Sequence, residues 1–166
     1  KHYSEKLLLM NYLPMVYPKP FTKRKLTEDE LAKKNIYSCP QTLFKIHPDF
    51  DQIIFNILEK DKKGIVYLIK DSNKVWYKKL IKRLSKNKKY DSKKIIFMDP
   101  LNYEDYLLHL GRSSVLLDPL FYGAGNSFFE SMLFGTPTIT FPTDHIKSRL
   151  VLGAYKQMEI KHPPIA

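Results

Sequence analysis

The sequence predicts an α/β fold: a doubly wound, mostly parallel sheet. Two observations carry that expectation. Short apolar runs recur at Asn35 to Ser38, Ile65 to Ile69, Lys94 to Met98, Ser114 to Leu117 and Thr138 to Phe141, each the length of a strand and not of a helix. Between them lie segments whose apolar residues return every three or four positions, as on one face of a helix. No repeat of about 20–50 residues is visible, which excludes solenoids and propellers.

Residues 1 to 34 carry prolines at 14, 18 and 20, which favour extended or loop structure. Thr27 followed by Glu30 is a capping box for one or two helical turns over Thr27 to Lys34. After the first strand comes a polar loop, Cys39 to Pro48. Phe50, Ile53, Ile54, Ile57 and Leu58 then form one buried stripe on a helix from Pro48 to Lys60, closed by Gly64. Ile65 to Ile69 is expected to be buried on both faces, as parallel strands usually are. Trp76, Leu80, Ile81 and Leu84 mark an amphipathic helix with a lysine-rich outer face, and Asn102 to Leu110 reads as a further helix. Ser114 to Leu117 ends at Asp118-Pro119, after which Gly123, Ala124 and Gly125 form a turn. Asn126 and Ser127 begin a helix that runs from Phe128 to Phe134, with Glu130 at capping-box spacing from Ser127. Gly135 is placed to take the left-handed conformation that ends it. A last helix is expected from Ile146 to Lys156, with Leu150, Val151 and Tyr155 inward.

Composition narrows the function classes. With 166 residues, 43% of them hydrophobic and 13% aromatic, the chain suits one folded domain. Its single cysteine, Cys39, makes neither an internal disulfide nor a cysteine zinc site, so a cytoplasmic location is expected. No apolar run approaches the roughly 18–20 residues of a membrane span. The opening KHYSEKLLLMNYLP is no signal peptide, because its apolar core is short and lacks a small-residue cleavage site. It has no initiator methionine, and a fragment of a longer protein is the expectation. The net charge of +11 raises the alternative of a non-catalytic basic module for RNA or an anionic surface. That charge is nearly all lysine, in runs such as Lys60 to Lys63 and Lys86 to Lys94 where solvated lysine is ordinary, so nucleic acid is not the expected partner.

Many chemistries are absent. The chain has no phosphate-binding GxxxxGKS or GxxxxGKT, no GxGxxG, no HExxH and no GxSxG. Asp105, Asp118 and Asp144 fall in different segments, so neither a metal nor a cofactor is expected. His47, His109 and His145 stand alone in the sequence. What remains is a set of donors and dipoles suited to a phosphorylated ligand. In an open α/β sheet the loops beyond the carboxyl ends of the strands converge, here 39–47, 99–106, 118–127 and 142–148. Gly125, Asn126 and Ser127 offer amides and short polar groups to a pyrophosphate, and Glu130 offers acceptors to two ribose hydroxyls. Ser127 and Glu130 serve equally well as mere helix caps, and local sequence leaves both readings open. Lys45 is either a phosphate partner or a solvated loop lysine. Tyr103 and Tyr106 are either a base-stacking pair or core.

Taken together, CPQTLFKIHPDF, IIFMDPLNYEDYLLHLGRSSVLLDP and GAGNSFFESMLFGTPTITFP resemble the C-terminal half of the catalytic region of O-linked N-acetylglucosamine transferase. The likeness is greater to its bacterial relatives, the tetratricopeptide-repeat glycosyltransferases that include SPINDLY-like proteins. It covers nearly the whole chain, and its most specific part is the ordered set Lys45, Asp118, Asn126-Ser127, Glu130 and Gly135-Thr136-Pro137.

The resemblance implies a Rossmann-like, donor-binding lobe of a two-lobed, GT-B type glycosyltransferase over residues 35–166, with 1–34 as a lead-in from a preceding lobe. It implies an inverting, metal-independent enzyme that takes a UDP-sugar and transfers the sugar, N-acetylglucosamine among the candidates, to a protein or other hydroxyl or amide acceptor. By the same resemblance Lys45 reaches the donor diphosphate and is the catalytic group of this lobe. Asn126 and Ser127 bind that diphosphate and Glu130 holds the ribose. Leu101 to Tyr106, Tyr103 among them, form the loop that reads uracil, with Tyr106 stacked on it. Three positions depart from the pattern. Gly125 replaces a histidine, Tyr106 replaces another, and either Gln41 or Thr42 takes the place of a polar donor. The N-terminal lobe, with the acceptor side and the proposed catalytic histidine, and the tetratricopeptide repeats lie outside these 166 residues.

Overall fold

A computed structural model describes residues 4–6, 8, 10–13, 16–31 and 35–166. Among these residues five strands form one sheet, β1 (Ile36–Cys39), β2 (Ile65–Ile69), β3 (Ile95–Met98), β4 (Val115–Leu117) and β5 (Thr138–Ile139). All neighbours pair in parallel, in the order β3-β2-β1-β4-β5. The helices are α1 (Glu28–Leu31), α2 (Pro48–Lys60), α3 (Val75–Leu84), α4 (Tyr103–Arg112), α5 (Asn126–Met132) and α6 (Leu150–Gln157).

Alternation along the strands sends side chains to two layers. Val115 and Leu117 of β4 pack with Val66, Leu68 and Ile95 against Phe50, Ile54 and Leu58 of α2 and Leu80 and Leu84 of α3. Leu116, between them, faces Leu107 and Leu110 of α4 on the opposite side. Phe128 of α5 packs on Val151, Ala154 and Tyr155 of α6. The doubly wound α/β expectation therefore holds, with helices on both faces of an all-parallel sheet.

Several local expectations are corrected. β2 is buried on one face only: Val66 and Leu68 enter the core, while the alternating Ile65, Tyr67 and Ile69 remain partly exposed on the other face. Trp76 is 42% exposed, because its neighbours are themselves at the surface: the ring of half-exposed Phe44 lies 6.2 Å away and Lys79 Nζ lies 4.5 Å above the Trp76 ring. The last strand ends at Ile139, and Thr140 bridges Ile165 instead. The expected helix from Ile146 splits into a 3-10 turn, Ile146–Ser148, and α6. The capping box of Thr27 and Glu30 is present, with reciprocal backbone bonds of 3.1 and 3.3 Å. α1 ends at Leu31, and the remainder of that expected helix, 32–34, lies outside the described residues.

The order of strands positions the site. From β1 the chain winds outward through β2 to β3, then returns past β1 to lay down β4 and β5 on the other side. The connections that leave β1 and β4 therefore depart in opposite directions, and a crevice opens between them at the carboxyl edge.

Candidate functional site

That crevice has a volume of about 740 Å³. All four loops expected to converge contribute to it. Gln41, Thr42 and Lys45 enter after β1, Tyr103 and Tyr106 after β3, Gly125, Asn126 and Ser127 after β4, and Lys147 after β5, while Glu130 reaches it from α5. Leu101 and Asp118 do not line it. Asp118 instead braces the loop from behind, accepting from the Ala124 amide at 2.5 Å and the Thr140 hydroxyl at 2.7 Å. Gly123 fits because a Cβ there would lie 3.1 Å from both Asp118 carboxylate oxygens.

A hydrogen-bonded chain crosses the crevice. Lys45 Nζ donates to Gln41 Oε1 at 2.9 Å, and Gln41 Nε2 donates to Ser127 Oγ. Residues 86 positions apart are thus joined across the β1–β4 boundary. Partial burial pulls the Lys45 pKa below the ordinary lysine range. Among the described residues no group of three or more His, Cys, Asp or Glu stands close enough to hold a metal ion.

The capping-box reading of Ser127 and Glu130 is overturned. Gly125 is the N-cap of α5 and no side chain caps it. The two side chains are taken elsewhere, Ser127 by Gln41 and Glu130 by three phenols. Tyr17 and Tyr103 donate to Glu130 Oε1 at 2.7 and 3.2 Å, and Tyr106 donates to Oε2 at 3.1 Å. A carboxylate has about four acceptor positions, so the described residues fill three of them. Burial first, then the Glu130 charge, raises the phenol pKa values of Tyr17, Tyr103 and Tyr106, which keeps all three as donors. Tyr103 and Tyr106 also stack on each other, with centroids 6.3 Å apart.

Sequence reasoning missed Tyr17, Tyr122 and Lys147. Lys147 lay in a loop already expected at the crevice, but nothing local distinguished it from the other lysines. Tyr17 sits in a proline-rich stretch with no periodicity, 113 residues before the glutamate it binds. His109, alone in sequence, has company in space: its Nε2 lies 2.9 Å from Ser38 Oγ, which lies 2.8 Å from Ser113 Oγ. Ser113 donates its only proton to the His109 carbonyl, so Ser38 donates to Ser113 and accepts from Nε2–H. The imidazole is neutral there, pushed down to about 4 by burial and then by the Arg112 charge.

The fold is that of one lobe of a GT-B glycosyltransferase. A lysine-to-methionine mutant of the Thermobaculum terrenum O-GlcNAc transferase matches it with a TM-score of 0.74 at 18% identity, over 90% of this chain and 28% of that one. TarM, also a glycosyltransferase, matches with a TM-score of 0.51 at 13% identity, over 90% of this chain and 31% of its own. The chain thus spans less than a third of either structure. No protein-family model and no curated sequence matches it. At these identities the likeness establishes the fold, and the chemistry is argued from the crevice.

Proposed function

We propose that this chain is the donor-binding lobe of an inverting, metal-independent glycosyltransferase that uses a UDP-sugar. The observation that carries the reading is the Lys45–Gln41–Ser127 chain, which ties the loops on both sides of the switch point into one polar wall. The diphosphate lies against that wall, and the nucleoside lies toward Glu130, Tyr103 and Tyr106, where acceptors and aromatic rings suit ribose and base. Lys45 is the catalytic group: as the acceptor oxygen or nitrogen bonds to the anomeric carbon, the bond from that carbon to the diphosphate oxygen breaks and its electron pair stays with the diphosphate. A lysine charge stabilises that pair, and loss of one such donor costs about 2.7–4 kcal/mol of barrier. The acceptor and the base that takes its proton belong to a preceding lobe, of which residues 1–34 are the lead-in.

Calorimetric titration of the chain with UDP is the test. Lys45→Ala should weaken binding by about ten- to a hundredfold, and Glu130→Ala by about tenfold, as expected for hydrogen bonds to charged groups. Absence of UDP binding, or binding indifferent to both substitutions, would count against the reading.

A further inference from the structure

Lys45 is not alone at the phosphate end. Its Nζ lies 4.4 Å from the centroid of the Tyr122 ring, and Lys147 Nζ lies 5.0 Å from the same centroid. Two ammonium groups are therefore held within about one Debye length at 0.1 M salt, ~10 Å. Among the described residues neither forms an ion pair. Among the described residues Glu130 is the one acidic residue of the lining, and its oxygens hold three phenols. Asp118, behind the wall, is engaged by Ala124 and Thr140.

The backbone that delivers Lys147 is anchored on both sides. The Gly123 amide donates to the Lys147 carbonyl at 2.9 Å, and a Cβ on Gly123 would lie 3.1 Å from that oxygen. The Thr143 amide donates to Ser148 Oγ at 3.0 Å, and Arg149 Nη1 donates to the Thr143 carbonyl at 2.9 Å. The loop after β5 thus presents a lysine beside the one that follows β1, both against the same aromatic ring. Repulsion between the two cations is relieved best by a ligand that carries negative charge on two neighbouring centres.

We infer that Lys45 and Lys147 form a two-lysine clamp around Tyr122 that selects a diphosphate over a monophosphate, with Lys147 as a specificity-determining residue. The inference rests on reading the crevice as a phosphate site, and the diphosphate is either part of a nucleotide or free. Lys147→Met keeps the apolar stem and leaves the backbone bond to Gly123 intact, so the fold is preserved while the charge is lost.

The test is calorimetry of the chain and of its Lys147→Met and Lys147→Arg variants with inorganic pyrophosphate, orthophosphate and UDP at low salt. Pyrophosphate should bind wild type about tenfold tighter than orthophosphate. Lys147→Met should weaken pyrophosphate about tenfold and orthophosphate less than about twofold, flatten the salt dependence, and be largely rescued by Lys147→Arg. Equal losses for both anions, or none for pyrophosphate and UDP, overturn the clamp. If UDP binds wild type no tighter than pyrophosphate, the clamp stands and the nucleoside half of the proposed function fails. If UDP binds tightly and Lys147→Met does not weaken it, the clamp falls and the nucleotide reading survives.

Discussion

Glu130 shows how much one side chain depends on what surrounds it. At 6% exposure a carboxylate would be costly without partners, and three phenol protons supply them. Replacing it by glutamine keeps the shape but exchanges an acceptor oxygen for an amide that donates. At least one phenol then loses its acceptor, and Glu130→Gln should destabilise the fold by about 1–3 kcal/mol. Urea unfolding measures this. Among the phenol deletions, Tyr106→Phe should cost more than Tyr103→Phe, because Tyr103 is 54% exposed and water can replace its bond. The reverse order would mean that Glu130 is not satisfied in the way its geometry indicates.

At the scale of elements, the short helix α5 is held by its ends and its neighbours. Its C-terminal side turns at Gly135, whose φ is +64°. A Cβ there would meet nothing within 4 Å, so substitution tests backbone conformation without steric interference. Gly135→Ala should therefore lower stability by about 1–2 kcal/mol, and Gly135→Asn should recover part of that, since asparagine tolerates the left-handed region better. Thermal unfolding of the two variants makes the comparison. A neutral Gly135→Ala would show that the turn relaxes to another conformation. Because α5 carries Ser127 and Glu130, either variant that shifts the helix should also weaken the crevice.

Across the whole molecule, the buried polar cluster of Ser38, His109 and Ser113 joins the central strand to α4 and makes stability depend on pH. The folded-state pKa of His109, about 4, lies below the ordinary histidine value of about 6.5, so the unfolded chain binds the proton more tightly. Its contribution is complete above pH ~6.5 and is lost as pH falls toward 4, with a total on the order of 3 kcal/mol. Glu30 acts in a lower window. Arg112, then Thr27 and Arg24, hold its pKa at about 2, so its part is lost as pH falls from about 4.5 toward 2. Unfolding free energies at pH 7, 5.5 and 4.5 should decline in wild type and flatten in His109→Gln. Parallel profiles would assign the decline to other groups.

Gln41 enters only through the family resemblance, while local patterns carry the five strands, the stripe of α2, the left-handed Gly135 and the converging loops with Lys45 and Ser127. These depend on interactions within a few residues, or on the general rule that ligands sit beyond strand ends. Burial of β2, exposure of Trp76 and the split before α6 depended on which neighbours cover each segment, and a single strand or helix carries no record of its cover.

The sequence by itself determined the α/β class and most of the crevice's polar inventory, because spacing and residue type are local properties. Only the tertiary structure decided that β1 stands beside β4, that Tyr17 donates to Glu130, and that Lys147 shares a ring with Lys45. Those outcomes join residues far apart in the chain. They are set by the packing of the whole sheet and its layers, which no window of a dozen residues contains.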